Sequence, residues 1–600
     1  MQKQRINKNL ILVSALAMLA AISIVCGKYL AFNVGQSLRF SFENLPIIFA
    51  GIAFGPIAGA LVGVVADLVG CLMVGYAIIP TVTVAAAVMG LVSGSVPFIF
   101  GKKRMDTLSV ALSAALAHLL GSVVVKSIAL FYAGVGMGLS LPIFMLLRLG
   151  NYFLIAALEC GVLISLFRSK AVMHSINEIK KKSSKSKFQS FANSFQAVTV
   201  PGLERISALL LKLGNPEDKL RFVHIAGTNG KGSVSANMAC IFEEAGFKTG
   251  KFISPNLLKV NERISINGVD ISDEDMNSIL SEIEPLSIEV EKETGLAPTQ
   301  FEIWCALAFV YFERNACELV VLEVGLGGEF DATNVIKTNA IQIITRLGMD
   351  HTQYLGTTLS SVAAAKCGII KETSESKTLV TVKQDDEAMA VIEEACRKKK
   401  TELVVASPES LGAEGVFERF SLDGKEYTSG IPGFHQIENA SLAILAARKL
   451  GIDEDAIKRG VSRAKNPARF ELVRENPTVI YDGGHNENGI TALNFTLRRY
   501  FGNAPKTIIF ACMKDKEIDK SLELLSEGDT EFIFTTVKDN PRAMSAAELQ
   551  KRASEYGFSG AAYEEIGDAY RDATSRGKLT VICGSLYLYK DFREFYDKEF

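Results

Sequence analysis

Around residue 168 the chemistry of this 600-residue chain changes, and that change limits its fold more than any single motif does. Up to that point the sequence is overwhelmingly apolar. Beyond about residue 188 it has the mixed composition of an ordinary soluble α/β protein. Apolar runs long enough to cross a bilayer are read as transmembrane helices, because a spanning segment must satisfy its own backbone. Leu10–Val25 follows Lys3, Arg5 and Lys8, and further runs occupy about 44–55, 56–75, 79–100, 108–133 and 141–167. No A-x-A-like cleavage site clearly follows the first run, so it reads as a retained helix and six spans are expected. Gly55-Pro56 marks the break between the second and third.

Lys102-Lys103-Arg104 follows the fourth run, and Arg168, Lys170 and Lys180-Lys181-Lys182 follow the sixth. With the basic N-terminus, these place both chain ends in the cytoplasm, which suits an even number of spans. The expected location is thus the cell membrane, multi-pass, with everything after residue 168 cytoplasmic. Asp67, Lys126, Arg148 and Glu159 lie inside the spans. Ionisable groups are costly there and face a cavity or a partner unless they snorkel to an interface. Snorkelling is the reading for Glu159, function for Asp67 and Arg148. Ala17-x-x-x-Ala21 and Gly51–Gly63 are small-residue seams suited to close helix packing, internal or against another subunit.

Arg39-Phe-Ser-Phe-Glu-Asn-Leu-Pro-Ile, Ala53-Phe-Gly-Pro-Ile-Ala-Gly-Ala-Leu-Val-Gly-Val-Val-Ala-Asp67 and Leu91-Val-Ser-Gly resemble the substrate-binding (S) components of energy-coupling factor (ECF) vitamin transporters, the folate-specific branch above all. The likeness covers about 8–168. It implies a six-helix vitamin-binding domain with its pocket on the extracellular side. It also implies an early alanine-rich helix that docks on a transmembrane coupling subunit, with two ABC-type ATPase subunits as further partners. Arg39, Asp67 and Arg148 are the candidate contacts to the transported vitamin. Residues 169–196 are dominated by Ser, Lys and Asn and read as a charged, flexible tether.

The second half carries Phe222-Val-His-Ile-Ala-Gly-Thr-Asn-Gly-Lys-Gly-Ser233. An apolar β-branched run ends in a glycine turn that opens into a helix from Ser233 to about Ala245. Converging amides, the positive end of a helix and a lysine suit a phosphate group. The spacing is shorter than the usual Walker pattern, and a plain turn is the bland alternative. Strands are expected at 222–226, 249–253, 319–324, 340–345 and 378–382, giving a parallel sheet covered on both faces. A second set at 478–481, 507–511, 531–535 and 579–583 predicts a smaller doubly wound domain, joined near Asn466-Pro467. Polar residues cluster where the first strands stop: Ser254 after Ile253, Glu323 before Gly325-Leu-Gly-Gly328, Asp331 and Asn334, and Asp350-His351. Oxygen donors beside a phosphate loop suit Mg²⁺. The net charge of -2, without a basic stripe interleaved with aromatics, argues against nucleic acid. The ten cysteines include no CxxC pair and read as reduced thiols.

Ile225-Ala-Gly-Thr-Asn-Gly-Lys-Gly-Ser, Asn261-Glu-Arg-Ile, Leu322-Glu-Val-Gly-Leu-Gly-Gly, Met349-Asp-His, Lys366-Cys-Gly-Ile-Ile-Lys, Gly433-Phe-His-Gln-Ile-Glu-Asn439, Pro467-Ala-Arg-Phe-Glu and Tyr481-Asp-Gly-Gly-His-Asn486 resemble folylpolyglutamate synthase, the folate branch of the Mur ligase superfamily. The likeness runs from about 200 to the end, and the family's opening helix ahead of Pro201 is poorly matched. The resemblance implies a multidomain protein: 1–168 transmembrane, 169–196 tether, 197–465 Mur-ligase-type P-loop α/β domain, and 466–600 Rossmann-like α/β domain. It implies ATP held by Lys231 and by Thr228, Asn229, Gly230, Gly232 and Ser233, with Asn439, Arg469, Asp482 and His485 reaching the nucleotide across the cleft. Ser254 and Glu323 would hold one Mg²⁺ and His351 a second. Lys366 would be carbamylated, and Lys231, His351 and Lys366 would form the catalytic set. The expected function is folate uptake joined to a ligase that adds L-glutamate to tetrahydrofolate through an acyl phosphate. Dihydrofolate synthase, a bifunctional ligase, or a transport subunit with an inactive ligase are the alternatives.

Overall fold

The computed structural model describes residues 10–34, 38–99, 107–135, 139–173, 175–176, 179, 201–514, 516 and 518–600. Most of the tether, the helix ahead of Pro201 and the basic residues at 3–8, 102–104 and 180–182 lie outside the described residues. The chain forms two compact units, Met1–Phe191 and Ala192–Phe600.

The first unit contains α1 (Leu10–Lys28), a small hairpin of β1 (Phe32–Val34) and β2 (Leu38–Phe40), then α2 (Leu45–Phe54), α3 (Pro56–Val74), α4 (Pro80–Ile99), α5 (Thr107–Gly134) and α6 (Leu141–Arg168). Gly55, at φ 98°, joins α2 to α3, and Pro56 starts the latter where its missing N–H costs nothing. Among the described residues four helices, α3 to α6, are long and apolar enough to cross a membrane. The ten residues of α2 reach only about 15 Å, half a hydrocarbon core of about 30 Å. The middle of α5, His118–Val125, is wound as a π-helix.

Glycine sets the closest crossing. A Cβ on Gly90 of α4 would lie 2.1 Å from the Gly59 carbonyl carbon of α3, and one on Gly63 2.4 Å from Ala86 O. The Gly51–Gly63 seam is therefore internal. Ala17 and Ala21 instead lie on the exposed side of α1, with Val13, Met18 and Ile22.

In the second unit, eight strands form one sheet: β3 (Phe222–Ala226), β4 (Thr249–Phe252), β5 (Ile264–Ile266), β6 (Val269–Asp270), β7 (Leu319–Glu323), β8 (Ile341–Ile344), β9 (Thr378–Val382) and β10 (Glu402–Ala406). Their order is β10-β9-β8-β3-β7-β4-β5-β6. All pairs are parallel up to β4, and β5 and β6 run antiparallel on the edge. The expected strands are all present, each within a residue or two. β3, β7, β8 and β9 are buried along their whole length, as parallel strands covered on both faces must be. The chain moves to one side of β3 for β4 and β7 and to the other for β8, which opens a crevice at the carboxyl end of β3.

A three-stranded antiparallel sheet follows, β11 (Glu409–Glu414), β12 (Phe417–Leu422) and β13 (Lys425–Thr428). The last sheet holds β14 (Glu471–Glu475), β15 (Thr478–Tyr481), β16 (Lys506–Phe510), β17 (Thr530–Phe534), β18 (Gly560–Ala562) and β19 (Leu579–Cys583), ordered β14-β15-β19-β16-β17-β18. All of its pairs are parallel except β14 with β15.

Candidate active site

Strand β3 delivers the glycine turn to the crevice, and α7 (Lys231–Glu244) leaves it. The helix begins two residues earlier than the sequence suggests, with Gly230 as its cap at φ 91°. A Cβ on Gly227 would lie 1.8 Å from Thr345 Oγ1, and one on Gly230 2.2 Å from Asn439 Oδ1, so neither position admits a side chain. Thr345 Oγ1 donates to Asn229 O (2.6 Å) and Thr228 Oγ1 to Gly348 O (3.0 Å), tying the turn to the end of β8. The amides of Thr228 and Asn229 are spent on Arg346 O at 3.1 and 3.2 Å. They therefore do not point at a phosphate in this conformation. The amides at the head of α7 have no acceptor within the helix and remain available to an anion.

Two lysines converge on one carbonyl. Lys231 Nζ donates to Gly227 O (3.0 Å) and Thr228 O (3.4 Å), and Lys366 Nζ donates to Gly227 O at 2.8 Å. Lys366 stands on α8 (Leu359–Cys367) and is 4% exposed. Burial, with Lys231 nearby, brings its amine down to about 7. Glu323, at the end of β7 and also 4% exposed, is pushed up to about 7 by burial, against the pull of Lys231 and a hydrogen bond from the Ser254 backbone. His351, at φ 50°, has a half-exposed ring (52%) whose Nε2 lies 3.8 Å from Asp350 Oδ2. Among the described residues no three His, Cys, Asp or Glu side chains assemble into a cation site. A metal here would be completed by hydroxyl, water and phosphate oxygens, as suits Mg²⁺.

The second lobe closes the crevice. Asn466 Nδ2 donates to Ser233 Oγ (3.1 Å) and Asn486 Nδ2 to Asn229 Oδ1 (3.3 Å). Lys516 Nζ lies 3.6 Å from Asp350 Oδ1. Asp482 spends both oxygens on backbone amides, of Phe470 (2.8 Å) and Gly484 (2.7 Å), and so shapes the loop that carries His485. His485 Nδ1 contacts Gly483 O at 3.0 Å. Asn439, from α9 (Gln436–Lys449), donates to Gln436 Oε1 at 2.9 Å. Asn439, Arg469, Asp482, His485, Asn486 and Lys516 line one cleft of about 860 Å³, which also reaches Phe301, Trp304 and Phe330. The sequence-predicted residues of the second unit line this cleft except Lys366, which lies behind it and reaches the turn through Gly227 O. Lys516 and Asn466 were missed as site residues, because nothing in their local spacing shows which loop they approach.

In the first unit, Asp67 Oδ2 accepts from Thr83 Oγ1 at 2.6 Å. The Arg39 side chain lies outside the described residues. The snorkelling reading of Glu159 is overturned: it is fully buried and pairs with buried His118, Nε2 to Oε2, at 2.7 Å. Its partner stands 41 residues away, beyond the reach of any local pattern. Lys126 Nζ pairs with Glu43 Oε1 at 2.6 Å.

A shortened phosphate loop at a sheet switch point, closed by a second α/β lobe, defines a Mur-type ATP-dependent ligase. The family models agree: the Mur ligase middle domain matches residues 225–447, and the Mur ligase glutamate ligase domain matches 468–586. The chain is 36% identical over 414 residues to the dihydrofolate synthase/folylpolyglutamate synthase of Bacillus subtilis, covering 66% of this chain and 94% of that protein. It is 32% identical to the Mycobacterium tuberculosis protein of the same description, covering 59% and 78%. Among solved structures, M. tuberculosis folylpolyglutamate synthase complexed with ADP and AMPPCP superposes with a TM-score of 0.63 at 29% identity, covering 69% of this chain and 98% of that one. The Thermotoga maritima enzyme gives 0.61 at 33% identity, covering 69% and 97%. The chain belongs to the dihydrofolate synthase/folylpolyglutamate synthase family. Its first unit resembles a different family: the model for the substrate-specific component of ECF transporters matches residues 12–169.

Proposed function

We propose that the chain captures a folate at the membrane and attaches L-glutamate to it with ATP. The observation that carries the ligase half is the cleft itself, where the phosphate loop, held from beneath by Lys366, and Glu323 meet residues of the second lobe. A carboxylate is a poor acyl donor until its oxygen becomes a leaving group. Transfer of the γ-phosphoryl to the folate carboxylate gives an acyl phosphate, and the glutamate amine then displaces phosphate.

In this reading the helix-end amides, Lys231 and Ser233 bind the triphosphate, and Lys231 leaves the loop carbonyls to follow the charge on the transferring group. Asn439, Arg469 and His485 hold the nucleotide from across the cleft, and Asp482 positions their loop. Glu323 and Ser254 would hold one magnesium, and His351 with Lys366 a second. Magnesium, when bound, offsets phosphate charge during transfer. Burial of Glu323 fits this role, since a nearby cation favours its ionised form. Lys366 is read as carbamylated. That modification needs a neutral amine, and an amine lowered to about 7 supplies one at physiological pH. The soluble unit is divided at 465/466.

For the membrane half we read six crossings with both ends cytoplasmic, the short α2 completing its crossing together with the chain ahead of it. The outward Ala17/Ala21 face of α1 serves as the docking seam for a coupling subunit that works with ABC-type ATPases. The ligase then meets the vitamin on the cytoplasmic side, and the added carboxylates oppose its return through hydrocarbon.

The deciding experiment incubates the full chain with ATP, labelled glutamate, and either tetrahydrofolate or dihydropteroate, and reads product mass. Lys231→Ala is expected to lower glutamate-dependent ADP release at least a hundredfold with the fold intact. Undiminished turnover in that variant refutes the assignment.

A further inference from the structure

We propose that Arg148 and Lys126 form the carboxylate-binding end of the ligand site in the membrane unit. Glu43 is the internal anion that occupies Lys126 until a ligand carboxylate takes its place. The proposal rests on reading this unit as a vitamin-binding subunit, and it names the chemistry that the vitamin must present.

The three residues share one end of the unit. Arg148 stands seven residues into α6, about 10 Å beyond its start. Lys126 stands eight residues before the end of α5, and Glu43 lies two residues ahead of α2. The Lys126–Glu43 bond at 2.6 Å brings the start of α2 to this end of α5.

The cluster sets two basic side chains, Arg148 and Lys126, against the one carboxylate of Glu43. Among the described residues Arg148 bonds only to neutral groups: Nε to Ser127 Oγ at 2.8 Å, and one terminal nitrogen to Ser122 O and Tyr152 OH, each at 3.3 Å. Its guanidinium lies over the rings of Tyr152 and Phe144, 5.1 and 5.6 Å from their centres. Glu159 does not serve as its counter-ion, because it stands eleven residues further along α6 and is engaged by His118. An arginine that only escapes lipid extends toward the headgroups. Arg148 instead turns back across the helix pair and lies against α5. There the π-wound stretch His118–Val125 supplies the Ser122 carbonyl that holds it. π-type insertions of this kind recur at functional sites. A guanidinium held over two rings and oriented by two α5 oxygens is ordered before any anion arrives, and its planar fork matches a carboxylate. The ligand class is therefore a small molecule with at least one carboxylate, which folate satisfies.

The test measures equilibrium binding of labelled folic acid, and of its bis-amide, to the full chain in lipid nanodiscs without ATP. Binding by the soluble unit is common to wild type and variants and cancels in the comparison. Arg148→Gln is expected to weaken the membrane component of folic acid binding at least tenfold, Arg148→Lys to restore part of it, and neither to alter bis-amide binding. Lys126→Gln is expected to act in the same direction as Arg148→Gln. Equal losses for acid and amide, or no loss, overturn the assignment. A wild-type chain that binds a different carboxylate-bearing vitamin through Arg148, and not folic acid, removes the folate reading and leaves the carboxylate site standing.

Discussion

The oxygen of Gly227 accepts from two lysines at once, and that arrangement shows how single residues set this site. Lys231 and Lys366 cannot both carry full charge there without cost, and the more buried of the two, Lys366, gives way. A quieter example is His224, buried in the middle of β3. Thr333 Oγ1 donates to Asp331 Oδ1 (2.6 Å) and so accepts from His224 Nε2 (2.9 Å). Asp331 in turn takes the amide of Leu326 at 2.8 Å, which shapes the glycine loop beside Glu323. Burial lowers His224 from an ordinary 6.5 to about 3. The unfolded chain thus binds a proton between those values that the folded chain refuses. The contribution is complete above pH 6.5 and falls away as pH drops toward 3, by about 1.4 kcal/mol per unit. Urea unfolding should show that His224→Gln narrows the stability gap between pH 7.5 and 5.5 by about 1.4 kcal/mol. An unchanged gap would mean that His224 is protonated when folded.

Among the elements, the buried parallel strands were legible because they are continuous β-branched runs closed by polar or glycine residues. The strands that escaped notice, β1 and β2 in the first unit and β5, β6, β10 to β14 and β18 in the second, are short, partly exposed or at edges, so hydrophobic periodicity hardly marks them. One of these carries a buried tie between the lobes. Glu418 on β12 is wholly buried, and accepts from Arg499 (Nε 2.5 Å, Nη2 3.0 Å) and Tyr500 OH (2.8 Å) on α10 (Glu487–Phe501). Phe434 and Phe495 pack beside them with ring centres 5.1 Å apart. Arg499 keeps some contact with water, so Glu418→Gln should cost about 1–2 kcal/mol rather than the full value of a buried pair. Calorimetry should then resolve separate lobe transitions, and KM for ATP should rise more than kcat falls. A single unshifted transition would remove Glu418 from this role. In the membrane unit, Gly90→Val places atoms inside the Gly59 backbone, and should abolish monodisperse extraction of the chain in detergent. Normal extraction would show that α3 and α4 can part.

For the molecule as a whole, the two halves announce themselves by composition and their families by motif order. What could not be read was which distant residues meet: His118 with Glu159, Glu43 with Lys126, Asn466 with Ser233. These are contacts between elements far apart in sequence, and no local period encodes them. The tether invites a direct test. Inserting a protease site within 180–196 and cutting it in membranes should reduce glutamate addition to freshly imported folate severalfold, while activity on folate supplied in solution is kept. Equal retention of imported folate would show that joining the halves has no kinetic purpose.

Asn466 and Asn486 arrive from the far lobe and rest on the phosphate turn itself. Any swing of one lobe away from the other has to part those two contacts, so the grip on the turn and the spacing of the lobes change together.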